Sequence, residues 1–274
     1  ARTLGAIVVD LDMSRPFSAA RARNAGMAAL LSSFPDVDFV QFVDGDCELH
    51  AGWLDSASRF LDQHDVYAMV CGRLRERYPA RSVYNWLCDI EWDGPPGDIL
   101  SCGGVAMGRI SALLAVGGFN ELLIAGEEPE LCYRLRRLGW KVWRIDRDMA
   151  HHDAAMTRFG QWWIRVTRSG YAYAEVAWLH RADPERFWIR EVLGAVLFGA
   201  VLPVLASLSM LFFSLWGGLL LAVYPFQCWR LRAEQGGWKR AFYLVLGKFP
   251  EAIGALRFCF TRVRGATQAI IEYK

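Results

Sequence analysis

From Val192 to Gln227 the chain carries no charged residue. A bilayer span needs about 20 apolar residues, so this run is long enough for one long span or for two short ones, broken near Pro203 or at Ser207–Ser209. Basic residues lie on both sides of it: Arg181, Arg186 and Arg190 before, and Arg230, Arg232, Lys239 and Arg240 after. If both flanks are cytoplasmic, the run is a hairpin or a re-entrant pair; otherwise it is one span.

The last segment predicts a second kind of membrane contact. Ala241–Phe260 is amphipathic and is interrupted by Lys248, Pro250 and Glu251. This pattern favours an interfacial helix or helix pair over a third span. Three arginines near its end suit an anionic lipid surface: Arg257, Arg262 and Arg264. We therefore expect residues 181–274 to be a membrane-associated helical region.

Residues 1–180 predict an α/β domain in which strands and helices alternate. Strands are expected at Gly5–Leu11, Phe39–Val43, Val66–Cys71, Ile99–Met107 and Trp140–Ile145. Helices are expected at Ala19–Ser32, Gly52–Gln63, Ser82–Ile90, Ile110–Val116, the segment after Pro129, and Thr157–His180.

The strand at Phe39–Val43 ends abruptly in Asp44-Gly45-Asp46. Its Val and Phe content predicts a buried strand, and open α/β sheets bind ligands where such strands end. Two neighbouring carboxylates repel each other, and a divalent cation removes that repulsion. Oxygen ligands suit Mg²⁺ or Mn²⁺, which usually also hold substrate phosphates. On the motif alone, a polar turn after a strand is the commoner explanation.

The first expected helix carries Arg21, Arg23 and Asn24 in its early turns, behind the capping residue Ser18. Two interpretations are open for these side chains. They form a solvated basic face, or they face the aspartate loop and bind phosphate.

Three acidic residues open a later helix: Glu127, Glu128 and Glu130. Pro129 suits the first turn of that helix, and Gly139 suits its end. Acidic groups at a helix start are favoured by the helix dipole, so these side chains can simply stabilise the helix. The adjacent pair Glu127–Glu128 can instead supply a general base.

Other candidate binding residues follow the last strand. A lone histidine is usually structural, but His151-His152 comes just after a strand in a chain that already has paired aspartates, which makes a third metal ligand plausible. Trp162 and Trp163 belong to an aromatic stripe that suits sugar faces, although such stripes are more often core or membrane-interface residues. Gly103-Gly104 lets a backbone or ligand come close.

Composition narrows the function classes. The 31 Lys and Arg against 29 Asp and Glu give a net charge of +2, so no general affinity for nucleic acid is expected. Seven cysteines, an odd number without a CxxC pair, indicate reduced thiols in a cytoplasmic compartment. The sequence contains no P-loop, which argues against a metal-dependent phosphotransferase.

The order of these motifs resembles that of the family 2 glycosyltransferases with a GT-A fold, especially the bacterial membrane-associated members. The resemblance covers Ala1 to about His180. It is carried by Phe42-Val43-Asp44-Gly45-Asp46 together with the upstream segment ARARNAG and the downstream segments GEEPELCYRLRRLGW and HHD. It implies a GT-A-like mixed sheet flanked by helices, followed by C-terminal membrane-associated helices.

The resemblance also implies roles for the donor-side residues. Asp44-Gly45-Asp46 matches the family's DxD motif, so Asp44 would lie near the ribose and the metal, and Asp46 would ligate the Mn²⁺ or Mg²⁺. Arg23 and Asn24 match an Arg-Asn pair beside the nucleotide-sugar. His152, or less readily His151, matches a histidine near the metal and the diphosphate.

On the acceptor side, Glu127-Glu128 occupies the place of the family's Glu-Asp motif, with Glu128 as the expected catalytic base. The acceptor is expected to approach over Gly103-Gly104 and the Trp162-Trp163 region. The implied activity is inverting transfer of a sugar from a nucleoside-diphosphate donor, with a UDP-sugar expected, to an acceptor hydroxyl in glycan or polysaccharide synthesis. The apolar segment suggests a lipid-linked or exported glycan acceptor. The resemblance to bacterial membrane-associated members implies the bacterial inner membrane, with the catalytic domain cytoplasmic.

One departure from the family pattern concerns the start of the chain. Family members usually begin with a strand-helix unit in which an Asp reads the uracil ring, and about 80 residues of this kind are expected to be missing before Ala1. Either the sequence is a fragment, or a second copy or partner chain completes the sheet. The alternative function is a membrane-anchored, non-catalytic GT-A-like partner subunit.

Overall fold

Six strands form one mixed sheet in the computed structural model, which describes residues 2–265. The strands are β1 (Phe39–Phe42), β2 (Cys47–Leu49), β3 (Tyr67–Glu76), β4 (Gly97–Asp98), β5 (Ala106–Arg109) and β6 (Lys141–His152). They lie in the order β1-β5-β3-β6-β2, and β4 also pairs with β6. β3 and β6 run parallel, whereas the other pairs are antiparallel. The expected α/β fold with a mixed sheet is confirmed.

Helices cover much of the remaining chain. They are α1 (Ala19–Ser33), α2 (Trp53–Gln63), α3 (Val83–Trp92), α4 (Ile110–Ala115), α5 (Glu127–Arg137), α6 (Phe159–Leu179), α7 (Ile189–Val196), α8 (Leu202–Phe212), α9 (Val223–Leu231) and α10 (Gly237–Val263). The chain forms two units. The first holds the sheet and comprises the residues up to 78 together with 91–154, and the second comprises residues 79–90 and those from 155 onward. The functional boundary at residue 180 stays a prediction.

The core of the first unit is built on β3. Its residues from Tyr67 to Cys71 are all buried, as expected of a strand covered on both faces. Helix α2 packs on β3 through Trp53, Ala57 and Leu61, each fully buried and four residues apart. This spacing places all three side chains on one face of the helix.

The strand before the aspartates occupies the edge of the sheet. Within the described residues, β1 is hydrogen-bonded to β5 alone. Val40 and Phe42 are buried, whereas Phe39 and Gln41 are half-buried. Asp44 therefore leaves the sheet at the carboxyl end of an edge strand, next to solvent.

Some predicted boundaries were wrong. Gly5–Leu11 forms no strand, and Ile7 is 65% exposed, because apolar residues make a strand only where a neighbour supplies ladder hydrogen bonds. In the segment Ile99–Met107, only the last two residues belong to β5, since Gly103 at φ 91° turns the backbone away. β3 and β6 each extend further than predicted, because they pair with each other along their length. His151 and His152 consequently lie within β6.

The uncharged run is helical but does not break where predicted. One candidate membrane span was found among the described residues, the continuous helix Ile189–Phe212. A π-helical turn at Leu197–Val201 precedes Pro203, and a wider turn can accommodate the missing proline N–H. The helix ends at Phe213–Ser214, and a 3₁₀ helix follows at Leu215–Ala222.

Helices α6 and α10 approach each other through two glycines. A Cβ on Gly254 would collide with the backbone of Thr167 and Tyr171, and one on Gly170 would collide with the backbone of Glu251. Small residues at such positions let helix backbones pack in contact. The single helix α10 runs through Pro250, which settles the choice between one helix and a helix pair.

We expect Gly254→Val to destabilise the second unit by roughly 1–3 kcal/mol, because the added carbons must push two backbones apart. Gly160→Ala is the matched control, since its added Cβ meets nothing within 4 Å and alanine stabilises an unstrained helical site by up to about 1 kcal/mol. Denaturant unfolding of both variants in detergent micelles, followed by circular dichroism, measures the difference. Equal stability of the two variants would contradict the close α6–α10 contact.

Candidate active site

Arg23 connects the two acidic segments of the site. Its side chain is 13% exposed and donates to Asp44 Oδ1 and to Glu127 Oε1, each at 2.7 Å. Burial works to lower the pKa of the guanidinium, but the two carboxylates outweigh it and raise the pKa. Arg23 also lies over the ring of Phe119 at 5.5 Å. The helix α1 that carries it begins at the N-cap Ser18, whose hydroxyl accepts from the Arg21 N–H.

The side chains of the neighbouring residues Asn24 and Arg21 form hydrogen bonds to backbone groups of nearby loops. The Asn24 amide donates to Phe119 O at 2.9 Å and accepts from the Phe119 N–H at 2.9 Å, which fixes the loop before α5. Buried Arg21 donates to the carbonyls of Asp12, Arg15 and Pro16. Of the candidates on α1, Arg23 therefore reaches the aspartate loop, and a direct contact of Asn24 with nucleotide stays a prediction.

The Asp44-Gly45-Asp46 loop is a tight turn in which the Cys47 N–H donates to Asp44 O at 2.9 Å. It leads directly from β1 to β2. The side chains of Asp44 and Asp46 are 42% and 38% exposed, so both carboxylates are open to a ligand while Arg23 binds one Asp44 oxygen.

His152 lies beside Asp46. The register of β2 with β6 pairs Cys47 with His152 and Glu48 with His151. This brings His152 Nε2 within 3.2 Å of Asp46 Oδ1, and the imidazole packs edge-on against Trp92 at 4.7 Å between ring centroids. His151 instead contacts His50, with the ring centroids 4.6 Å apart and the ring planes tilted by 41°. The structure thus places His152, of the two histidines, next to the aspartate loop.

Glu128 is held beneath the glycine loop. It is 4% exposed; its Oε1 accepts from the Cys102 N–H at 2.6 Å, and its Oε2 accepts from the Gly103 N–H at 2.8 Å. Burial raises the pKa of the Glu128 carboxyl, although the Cys132 thiol and the two backbone N–H groups partly oppose the shift. A raised pKa of this kind makes a carboxylate a stronger base.

A cluster of thiols surrounds Glu128, and the sequence interpretation missed it. Cys132 Sγ donates to Glu128 Oε1 at 2.9 Å, and the thiols of Cys71 and Cys102 continue the chain of contacts. The hydrogen bond with Cys102 lowers the pKa of Cys132, but burial and the Glu128 carboxylate raise it to about 11. Cys132 is therefore a protonated donor at neutral pH. Its position four residues after Glu128 on α5 was the available signal, since i and i+4 side chains meet on a helix.

The predicted acceptor residues lie in different units. Gly104 is in the first unit, and a Cβ there would come within 2.9 Å of Arg23 and would also meet Asp44 Oδ2, so a larger residue would have to displace these side-chain ends. Trp162 and Trp163 are on α6 in the second unit, where buried Trp162 packs against Tyr84 and Tyr243. Acceptor binding by these residues stays a prediction.

The residues around Asp46 fit a divalent cation. Ligand atoms of Asp46, Cys47 and His152 lie within 4.8 Å of one another. Carboxylate oxygen is a suitable ligand for Mn²⁺ or Mg²⁺, and imidazole nitrogen suits a transition-metal ion better than it suits Mg²⁺, whereas thiolate is not preferred by either ion. Asp46 and His152 would therefore hold the ion, with Asp44 close by on the same loop.

Comparisons with known proteins agree with the fold. No protein-family model matches the chain. The chain is 31% identical over 173 residues to a pre-mycofactocin glycosyltransferase of Mycobacterium tuberculosis, covering 59% of this chain and 35% of the relative. It is 29% identical over 127 residues to the succinoglycan biosynthesis protein ExoA of Rhizobium meliloti, covering 45% of this chain and 37% of that protein. The alignments thus span little more than a third of either relative.

A solved structure has the same type of fold. A mannosyltransferase from Pyrobaculum calidifontis, in complex with GDP-Man and Mn²⁺, superposes with a TM-score of 0.52 at 17% identity, covering 84% of this chain and 66% of the other. The chain is thus similar in sequence to proteins of glycosyl transfer and glycan biosynthesis, and it shares its fold with the Pyrobaculum mannosyltransferase.

Proposed function

We propose that this chain transfers a sugar from a nucleoside-diphosphate donor to an acceptor hydroxyl with inversion at the anomeric carbon. The observation that carries the proposal is that Arg23 joins Asp44 and Glu127 through two 2.7 Å ion pairs. Asp46 lies on the same loop as Asp44, and His152, on the neighbouring strand β6, lies 3.2 Å from Asp46. Similarity to a glycosyltransferase and to a glycan-biosynthesis protein supports sugar transfer.

Charge balance favours a metal-dependent donor site. Arg23 pairs with Asp44 and Glu127. Two further carboxyl groups, Asp46 and Glu128, lie on the same loop and at the same helix start. A diphosphate brings further negative charge and would be repelled by this set alone. A divalent cation at Asp46 and His152, once bound, would neutralise charge on the leaving diphosphate. The Pyrobaculum mannosyltransferase was solved with GDP-Man and Mn²⁺, so a guanosine as well as a uridine donor is consistent with the proposal.

Glu128 is the proposed general base. An ionised carboxylate accepts hydrogen bonds at about four lone-pair sites. Three donors occupy one site each: the N–H groups of Cys102 and Gly103 and the thiol of Cys132. One site remains for the proton of an acceptor hydroxyl. As that O–H bond breaks, the acceptor oxygen bonds to the anomeric carbon, and the bond from that carbon to the diphosphate oxygen breaks with its electrons leaving on the nucleoside diphosphate.

We also propose roles in donor and acceptor binding for Arg23 and for the glycine loop Cys102–Gly104. Arg23 is positioned to exchange a carboxylate partner for a diphosphate oxygen, since guanidinium groups bind both with similar geometry. The loop Cys102–Gly104 contacts Glu128 on one side and lies close to Asp44 on the other. We propose that the acceptor binds against this loop. A glycan or lipid-linked hydroxyl compound is the proposed acceptor.

We expect Glu128→Gln to lower kcat for transfer by about 10²–10⁴-fold, because the amide cannot accept the proton. Nucleoside-diphosphate affinity should change little. The matched control is Asp62→Asn, an exposed carboxylate on α2, which should keep parental activity. The measurement is release of nucleoside diphosphate from a panel of nucleotide sugars in detergent with Mn²⁺. Unchanged turnover in Glu128→Gln would remove this residue from the role of base.

The Cys132 thiol should tune the pH dependence of the reaction. Glu128 must be ionised to act, so kcat falls as the pH drops through its raised pKa. Cys132→Ala removes a donor that favours the ionised form; the pKa should rise further, and the acid limb of the kcat profile should move toward neutral pH. Cys132→Ser keeps a donor and should restore the parental profile. A profile unmoved by Cys132→Ala would show that the thiol does not act on the base.

Asp46 should couple metal binding to nucleotide binding. We expect Mn²⁺ to tighten nucleoside-diphosphate binding to the parent chain by about tenfold or more, which corresponds to at least about 1.4 kcal/mol. Asp46→Asn should reduce this gain to less than about threefold. Calorimetric titration with UDP and GDP, with and without Mn²⁺, measures both chains. The absence of any nucleotide binding by the parent with Mn²⁺ would favour the non-catalytic partner subunit.

A further inference from the structure

The uncharged run of the second unit doubles back on itself. The helix from Ile189 ends at Phe212, and the N–H groups of Phe213 and Ser214 both donate to Ser209 O, at 3.1 and 3.0 Å. The next residues enter a 3₁₀ helix whose first turn is capped by the Ser214 hydroxyl, which accepts from the Trp216 N–H. The chain therefore reverses direction within two residues.

Contacts further along the run follow the antiparallel order of a hairpin. Close to the turn, Gly217 lies against Ser209 and Met210. Further from it, the Tyr224 hydroxyl donates to Phe198 O at 2.6 Å. Because later residues meet earlier ones, α9 returns toward the level at which α7 began. The two charged flanks of the run therefore lie at the same end of the hairpin.

The tip of the hairpin exposes large apolar side chains. Phe213 is 87% exposed, Leu215 is 81% exposed and Trp216 is 77% exposed. Only 11% of the most apolar stretch of Ile189–Phe212 is buried within the described protein. The polar groups nearby are satisfied internally, since the Ser207 hydroxyl donates to Pro203 O at 2.8 Å. Such a surface suits hydrocarbon, where backbone and side-chain polar groups must find partners within the chain.

The base of the hairpin has the composition of a membrane-water interface. Arg232 lies over the rings of Trp229 and Trp238, at 5.0 and 5.3 Å, and both rings are more than half exposed. Exposed Arg190 and Arg230 are at the two ends of the run. Trp beside Lys or Arg is typical of the headgroup region, where the rings sit between lipid and water and the cations meet anionic headgroups.

Length decides whether the hairpin can cross a bilayer. The backbone of Lys248 on α10 touches Gly199, and Lys248 forms a 2.7 Å ion pair with Glu251. An ion pair is expensive in the bilayer interior, so the level of Gly199 belongs near the interface. From there to Phe213 the helix rises about 21 Å at 1.5 Å per residue. The hydrocarbon core is about 30 Å thick, so the tip ends inside it.

We propose that residues 189–231 form a re-entrant hairpin that enters a phospholipid bilayer from one side and returns to that side without crossing. The bilayer is the partner of the exposed apolar tip, and the Trp and Arg residues at the base hold the hairpin at the headgroups. This inference concerns the second unit alone and does not depend on the proposed transferase activity.

Protease protection tests the topology with the full native chain. Sealed bacterial inner-membrane vesicles of both orientations are treated with trypsin, and the cleavage sites are read by mass spectrometry. We expect the flanks at Arg186–Arg190 and Arg230–Arg232 to be cut together in one orientation and to be protected together in the other. One flank cut in each orientation would show a single crossing, and recovery of the chain in the soluble fraction would show no insertion. Either result overturns the proposal.

A label at the tip distinguishes a re-entrant hairpin from two full crossings. Ser214→Cys is combined with Cys228→Ser, because Cys228 lies on the same tryptic peptide, residues 191–230. The double variant is treated with a membrane-impermeant maleimide, and modification of that peptide is quantified, so the other native cysteines do not interfere. We expect less than one tenth of the labelling seen after detergent is added, in both orientations. Labelling from the side opposite the flanks would show two crossings, and labelling from the side of the flanks would show an uninserted tip; both contradict the proposal.

Tip and control substitutions test the membrane contact itself. Leu215→Asp should release at least half of the protein from sedimented membranes. Leu122→Asp, at a residue of the first unit that is 83% exposed, should remain bound like the parent. Equal retention of the two variants would show that the tip does not hold the chain in the bilayer.

Discussion

The site depends on the buried charge of Arg23. A guanidinium with 13% of its side chain exposed must be paired, since an unpaired buried charge costs several kcal/mol. Its two partners come from segments far apart in sequence, Asp44 after β1 and Glu127 at the start of α5. The requirement for pairing therefore fixes α1, the aspartate loop and α5 relative to one another. Without Arg23, the two carboxylates would repel each other.

The two glutamates at the start of α5 have been given different environments by this arrangement. Glu127 binds Arg23, whereas Glu128 turns under the Cys102–Gly104 loop and binds its amides. The same loop comes close to Asp44, so the donor side and the base side of the site share one short glycine segment. A ligand that moves this segment would affect both sides at once.

Part of this could be predicted from sequence. The aspartate loop, the Ser18-capped helix with Arg23, and the helix opened by Glu127 are local patterns, and each formed where predicted. In the thiol cluster around Glu128, the i to i+4 spacing on α5 indicates the contact of Cys132, whereas the positions of Cys71 and Cys102 depend on long-range packing of β3 and the Gly103 loop against α5, which no local pattern specifies. The hairpin turn at Phe213–Ser214 was missed for a similar reason: the run is uniformly apolar, and the reversal is fixed by backbone contacts with Ser209.

The anomeric configuration of the transferred sugar tests the central claim most directly. The chain is incubated with an α-linked nucleoside-diphosphate sugar and Mn²⁺, and the first product is observed by proton NMR before it can equilibrate. Direct displacement with Glu128 as base predicts a product of β configuration, formed together with free nucleoside diphosphate. A product that retains the α configuration would contradict the account, as would a donor that stays intact with every nucleotide sugar supplied.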